Sequence, residues 1–205
     1  SISLLLLLPN FLNFFPEKKP QYDHIEKYDP KLSYINSIDK LIWVADSIAN
    51  NKNVREGSVH YAVIIDSIIS HRFYHGFSHF TLAKNWVADA GEFCFGHDLA
   101  CTVLADDIMQ YNFAGCSQQS IVLIEAMKRK SVDYRSVGFP HHFAIELNLE
   151  GQWYYFDANM ELAICDNDRL KTASVLAADT FKNYYDRKRF TNLDWKFGNA
   201  NIVLG

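Results

Sequence analysis

This sequence lacks several motifs and charge patterns, and each absence argues against a class of protein. Its 20 Lys and Arg residues are outnumbered by 24 Asp and Glu residues, which gives a net charge of −4 with intermixed signs. Nucleic acid and anionic lipid require clustered basic residues, so neither is an expected partner. The 4 cysteines form no C-x-x-C pair, so neither a zinc ribbon nor a thioredoxin-type motif is predicted.

Metal-binding motifs are missing as well. There is no D-x-D-x-D-G loop, so a calcium site is not expected. His71, His75 and His79 recur at four-residue intervals, a spacing that would place three imidazoles on one face of a continuous helix. Gly76 and Ser78 interrupt such a helix, and no H-E-x-x-H glutamate is present, so a polar helix end is favoured. Neither a metal nor a cofactor is therefore expected.

The length of 205 residues suits a single domain, since one hydrophobic core commonly serves up to about 200 residues. Apolar residues make up 49% of the chain and aromatic residues 15%, which is typical of a globular protein. No internal repeat or low-complexity linker divides residues 31–205, which we interpret as one domain after an N-terminal arm, residues 1–30.

The arm begins with an apolar run, Ile2–Leu8, that is far shorter than the about 20 residues of a membrane-spanning helix. Two interpretations are open. The run is the end of a trimmed membrane anchor or signal segment, which would place the domain outside the cytoplasmic membrane, or it is an ordinary strand or helix of a cytoplasmic protein. The prolines between positions 9 and 30 predict a connecting arm rather than a regular element.

Apolar periodicity predicts a helix over residues 32–50 and a second, almost wholly apolar one from about Val59 to Phe73. Asp98 is a candidate cap for a third helix that would run to Met109. In the C-terminal part, the pattern predicts a helix over 172–185 and strands over 162–165, 194–197 and 202–204.

Cys116 lies at the start of another predicted helix. It follows Gly115 and precedes residues 117–130, where apolar residues recur at helical spacing. The unpaired backbone N–H groups and the positive dipole end at a helix start favour an anion. A thiolate at Cys116 would be stabilised there, and the thiolate is the nucleophilic form of cysteine.

A hairpin is predicted after this helix, and its register can be derived from its turn. His142, Ala144 and Glu146 alternate with larger apolar residues, and Glu150-Gly151 marks the turn. A turn centred there pairs residues whose numbers sum to 301, which places His142 and Asp157 on one face as a diagonal cross-strand pair. A slip of one residue would place them on opposite faces.

Four short motifs thus succeed one another between residues 98 and 160. They are Gly115-Cys116 at a helix start, D-Y-R-S-V-G from Asp133, H-F-A-I-E from His142, and W-Y-Y-F-D ending at Asp157. This order resembles the transglutaminase-like core, which includes transglutaminases, peptide:N-glycanases and bacterial thiol hydrolases and is related in layout to papain-type proteases. The resemblance covers under a third of the chain. Ala158-Asn159 after Asp157 departs from the commoner Pro-Thr.

The resemblance implies an α+β fold whose N-terminal helices, with the nucleophile at a helix start, pack on an antiparallel sheet carrying the histidine and the aspartate. It implies that Cys116 is the nucleophile, His142 the base and Asp157 the group that orients the imidazole. General chemistry agrees, because a thiolate attacks acyl carbonyls, a histidine moves the proton and a carboxylate fixes the tautomer. His141 is a second candidate base, but it would point to the other face of the strand.

An oxyanion hole needs at least two donors, and the backbone N–H of Cys116 is one expected donor. Gln110 is a candidate second donor, because papain-like enzymes carry a glutamine at similar spacing before the nucleophile. Trp86 is a rival through its indole N–H, and Gln110 is otherwise a solvated residue at a helix end. The resembled fold further implies that residues 78–96 border the cleft.

The resemblance implies thiol-dependent acyl transfer, with hydrolysis of a peptide or amide bond in a peptide or protein substrate; an amine acceptor would give transamidation. The alternative is a non-catalytic binding or scaffold module that retains the fold. The enzyme hypothesis predicts that Cys116 is alkylated faster than Cys94, Cys101 or Cys165, and that His142 is needed for this. Cys94 and Cys101 are also a candidate disulfide pair, so cysteine usage leaves the compartment open.

Overall fold

The structure, a computed structural model, describes residues 19–22, 26–96, 99–139, 142–159, 165–166, 169–170 and 201–204 of an α+β protein. Its elements in chain order are α1 (Ile38–Asn51), α2 (Val59–Arg72), β1 (Tyr74–His75), α3 (Leu82–Phe95), α4 (Ala105–Ile108), β2 (Phe113–Ala114), α5 (Cys116–Lys128), β3 (Asp133–Phe139), β4 (His142–Leu149), β5 (Gln152–Phe156), β6 (Cys165–Asp166), β7 (Arg169–Leu170) and β8 (Asn201–Leu204). A 3-10 helix, Pro30–Tyr34, precedes α1.

Several predicted features lie outside the described residues, namely the apolar run Ile2–Leu8, His141, the helix over 172–185 and the strand over 194–197. Of the strand predicted over 162–165, only Cys165 is described, as the first residue of β6. The division into an arm and one domain therefore stays a prediction. Within the ranges given above, no helix is both long enough and apolar enough to cross a membrane.

The first two predicted helices form, with one changed boundary. Helix α1 begins at Ile38 rather than at Leu32, because Ser37 caps it by accepting the backbone N–H of Lys40 at 3.2 Å. The preceding residues form the 3-10 turn instead. Helix α2 matches its predicted range to within one residue, and its buried residues pack with the buried face of α1 in the main core.

The third predicted helix, from Asp98 to Met109, is wrong over most of its described length. Only α4 is helical, and the chain before it runs alongside the segment that leads into α3. There Phe80 N–H donates to Ala100 O at 2.6 Å and Thr102 N–H donates to Ser78 O at 3.0 Å. Backbone groups of residues 100 and 102 thus find their hydrogen-bond partners in a distant segment of the chain instead of in a helix.

The main sheet has the order β5-β4-β3-β8 and is antiparallel throughout. Glu150 and Gly151 have φ of 56° and 82°, which is the positive-φ pair of a type I′ hairpin turn. Ile145 pairs with Phe156, so the predicted register is confirmed. The predicted strand at residues 202–204 is confirmed as part of β8, which pairs with β3.

Helix α5 lies between the sheet and the other helices. It packs against β3 and β4 on one side and against α1 and α2 on the other. Its buried residues Val122, Leu123, Ala126 and Met127 join Ile145, Leu147 and Leu149 of β4 in one core. The helix that begins with Cys116 is therefore held on both sides by apolar packing.

Arg72, at the end of α2, fixes the loop that leads into β2. Its side chain is buried and donates to Ile35 O at 3.0 Å, Met109 O at 3.1 Å and Asn112 Oδ1 at 3.3 Å. Burial lowers the pKa of Arg72 to about 10, against the opposing effect of Tyr28. The guanidinium still carries its charge at neutral pH and links three segments of the chain.

Candidate active site

Cys116 is the first residue of α5, as predicted from the sequence. Gly115 before it is extended (φ −71°, ψ 169°) and serves as the N-cap residue, and its N–H donates to Gln118 Oε1 at 3.2 Å. A Cβ on Gly115 would lie 2.5 Å from the ring of Phe77, so only glycine lets this ring pack against the backbone beside Cys116. Cys116 is 7% exposed and lies at the helix start, where backbone N–H groups have no partner within a helix.

His142 and Asp157 form a buried pair, as the hairpin register predicts. The distance from His142 Nε2 to Asp157 Oδ2 is 2.6 Å, and both side chains are nearly inaccessible to solvent. A carboxylate only accepts, so Nε2 carries the proton and Nδ1 is the ring nitrogen left for Cys116.

The surroundings of His142 favour its protonated form. Burial alone lowers the pKa of this imidazole, but the charge and hydrogen bond of Asp157, with a smaller contribution from Cys116, outweigh burial and raise it to about 10. At neutral pH His142 is therefore an imidazolium that bonds to Asp157 and interacts with Cys116. A cation beside a cysteine stabilises the thiolate.

Tyr155 is a member of the site that the sequence analysis missed. Its hydroxyl donates to Asp157 Oδ2 at 3.0 Å, so that oxygen accepts from both Tyr155 and His142. The sequence does contain a signal for this contact, because side chains two residues apart on a strand share a face, as Tyr155 and Asp157 do. Tyr155 holds the carboxylate in the orientation that meets the imidazole.

Asn159 joins three segments around Cys116 and was also missed. Its Oδ1 accepts from Gln119 Nε2 at 3.1 Å and lies 2.8 Å from His75 Nδ1, and Gln119 Nε2 also donates to Ala114 O at 2.9 Å. Asn159 thus ties the end of the hairpin to α5 and β1.

Gln118 fastens the start of α5 to the segments around Ser78 and Thr102. Its Oε1 accepts Ser78 N–H at 2.9 Å, and its Nε2 donates to Ser78 O at 2.8 Å and to Thr102 O at 2.9 Å. All three side chains are buried. The bonds satisfy backbone groups that water cannot reach.

Replacing Gln118 with Ala is expected to lower the free energy of unfolding by about 2–4 kcal/mol, because several buried backbone groups lose their partners. Urea unfolding measures the change. Gln110→Ala is the matched control, since that amide is exposed and should cost less than about 1 kcal/mol. Equal losses in the two variants would contradict this role of Gln118.

The proposed oxyanion donor Gln110 is directed elsewhere. Its Nε2 donates to Asn36 O at 2.8 Å and to Asp106 O at 3.4 Å, and the residue lines a separate cleft of about 230 Å³ with Tyr111. The assignment as second donor is therefore wrong, because the exposed amide follows α4 and bonds to backbone carbonyls, as expected of a solvated residue at a helix end. Trp86 is half-buried on α3, and its role stays a prediction.

Arg135 contacts two residues of the sequence motifs, Glu146 and Trp153. Glu146 is fully buried and pairs with Arg135 across β3 and β4. The Arg135 guanidinium lies 4.4 Å from the ring centroid of Trp153, a cation–π contact. Glu146 and Trp153 therefore stabilise the strands that carry His142 and Asp157.

The three histidines of the periodic motif lie on different elements. His71 is in the last turn of α2, His75 is on β1, and His79 bridges to Cys101. Among the described residues, no group of three or more His, Cys, Asp or Glu side chains is arranged to hold a metal. Cys94 and Cys101 are not disulfide-bonded, so the candidate pair between them is wrong.

No protein-family model, curated protein or solved structure matches the chain. The resemblance to the transglutaminase-like core therefore depends on the four sequence motifs, and the activity that it implies is a proposal.

Proposed function

We propose that the chain is a transglutaminase-like thiol enzyme that transfers acyl groups through Cys116, His142 and Asp157, with hydrolysis of a peptide or amide bond as the reaction. The observation that carries the proposal is the 2.6 Å bond between His142 and Asp157, in contact with a cysteine at a helix start. Apolar packing of α5 against β4 keeps the thiol and the imidazole on elements that pack together.

The reaction begins with the thiolate of Cys116 beside the imidazolium of His142. The sulfur attacks the acyl carbonyl, and the oxyanion that forms accepts the backbone N–H of Cys116. His142 then gives its Nδ1 proton to the leaving amine, which leaves an acyl group on Cys116. Water, activated by the neutral imidazole, hydrolyses this thioester and restores the ion pair.

Asp157 and Tyr155 act as positioning residues in this scheme. The carboxylate holds the Nε2 proton, so Nδ1 is the nitrogen that exchanges a proton with the sulfur and the leaving group. The Tyr155 hydroxyl occupies the same oxygen and limits rotation of the carboxylate. Both contacts are buried, so water competes for neither.

Phe77 offers a contact for substrate beside the nucleophile. Its ring packs against Gly115, and the residue is 39% exposed. A substrate that reaches Cys116 from that side would cover this aromatic surface. An apolar residue next to the scissile bond is the class of substrate that this contact favours.

The test uses an activated acyl donor, because the natural substrate does not have to be known. The full chain is mixed with 4-nitrophenyl acetate, and the acyl group is located by peptide mass spectrometry. We expect a burst of nitrophenol and an acetyl group on Cys116, followed by slow turnover in water. Adding methylamine distinguishes the two acceptors, since transamidation would release N-methylacetamide.

Matched variants decide the outcome. Cys116→Ser should lose the burst, and Cys94→Ser should retain it, because Cys94 is exposed on α3 and outside the site. A peptide library screened with the wild type then defines the amide substrate. Acetylation spread equally over the cysteines would contradict the proposal and leave the binding-module alternative.

A further inference from the structure

A second cysteine lies in a Cys-His-carboxylate cluster that the proposed reaction does not use. Cys101 Sγ is 3.7 Å from His79 Nε2, and His79 Nδ1 is 3.0 Å from Glu92 Oε2. The side chains of His79 and Glu92 are each 32% exposed, and Cys101 is half-buried. Small solutes can therefore reach the cluster.

Glu92 determines which nitrogen of His79 faces the sulfur. Because a carboxylate only accepts, the proton of the neutral imidazole lies on Nδ1, and the Nε2 lone pair is directed to Cys101. An imidazole nitrogen in this position accepts the thiol proton, and the resulting thiolate is the reactive form. The cluster therefore combines a nucleophile with a base in contact.

Backbone bonds keep the three side chains together. His79 and Cys101 are partners in an antiparallel bridge, so their side chains start from adjacent positions. Glu92 Oε2 also accepts the N–H of Ala100 at 2.9 Å, which anchors the carboxylate to the segment that carries Cys101. The Tyr111 hydroxyl donates to His79 O at 2.7 Å and fixes the histidine from the other side.

We propose that Cys101 is a second reactive thiol, which undergoes reversible redox modification by exchange with small disulfides of the glutathione class. The Cys101 sulfur attacks one sulfur of the disulfide, and a new S–S bond forms as the old one breaks. The leaving thiolate takes the proton that His79 received from Cys101. Cys101 is oxidised and the leaving half of the disulfide is reduced, so the electrons balance.

Cys94 provides the comparison within the same chain. It is exposed on α3, the helix that also carries Glu92, whereas Cys101 is only partly accessible. If access alone governed the reaction, Cys94 would be modified first. If the neighbouring base governs it, Cys101 reacts first.

The test is incubation of the full chain with glutathione disulfide at pH 7, with the adduct at each cysteine quantified over time by peptide mass spectrometry. Cys101 is expected to react at least about tenfold faster than Cys94, because the larger thiolate fraction outweighs its lower exposure. His79→Gln should remove this advantage, and Glu92→Gln should reduce it. A wild-type rate at Cys101 equal to or below that at Cys94 overturns the proposal.

Two controls separate this result from unfolding and from the proposed acyl transfer. The ranking of Cys101 over Cys94 is measured in the wild type and needs no variant, and far-UV circular dichroism reports whether the variants fold. His142→Gln should slow alkylation of Cys116 and leave glutathione exchange at Cys101 unchanged. A loss at Cys101 in this variant would contradict an independent cluster.

Discussion

Replacing His142 with Gln is expected to slow the alkylation of Cys116 at pH 7 by about 30-fold, because an ordinary thiol is only about 3% ionised at that pH. In the wild type, Asp157 favours the imidazolium form of His142, and a cation beside a cysteine stabilises a thiolate. Gln keeps a polar group near Asp157 but carries no charge. Iodoacetamide labelling of each cysteine, read by peptide mass spectrometry, measures the change.

Cys94 is the internal control for this result. It is exposed on α3, and its labelling rate should be the same in both proteins. A parallel fall at Cys94 would indicate a general change in the sample rather than loss of the imidazolium. An unchanged rate at Cys116 would mean that His142 does not activate the thiol.

In a Cys116→Ser background, the free energy of unfolding is expected to fall as the pH rises above about 6.5, the ordinary pKa of histidine. Burial lowers the pKa of His142, but Asp157 supplies the larger part of the increase that brings it to about 10 in the wild type. The folded state thus keeps a proton that the unfolded state has released. The stabilisation is complete below pH 6.5 and is lost as the pH rises through the folded pKa.

The serine background is needed because a thiolate at Cys116 would take up a proton on unfolding over the same pH range. That uptake would cancel the proton that His142 releases on unfolding, and the free energy of unfolding would then change little with pH. The slope should reach at most about 1.4 kcal/mol per pH unit. Urea unfolding between pH 6 and 10 measures it, and Asp157→Asn in the same background is the control that should flatten it. Parallel curves for the two proteins would show that the pair does not hold the proton.

The features predicted correctly from the sequence depend on local signals. The start of α5 is indicated by Gly115 and the apolar period after Cys116. The contact between His142 and Asp157 depends on one turn, because Glu150-Gly151 fixes the register of the whole hairpin. Turn chemistry and strand period are both readable within about ten residues.

The features that were missed depend on contacts between distant segments. Residues 100–102 pair with residues 78–80, and this pairing replaces the helix predicted over that segment. The donor role of Gln110 was predicted from the spacing in papain-like enzymes, but its amide bonds to Asn36 O, 74 positions away, a contact with no local signal in the sequence. The bond between His75 and Asn159 spans 84 positions and has no local signal in the sequence.

The most direct test of the central claim, that Cys116, His142 and Asp157 act as one unit, is the pH dependence of Cys116 alkylation in the wild type. We predict a Cys116 rate that is already high at pH 6 and nearly constant to pH 8, because a neighbouring imidazolium favours the thiolate, while the rate at exposed Cys94 rises over this range. A rate at Cys116 that rises with pH in parallel with that of Cys94 would contradict the claim.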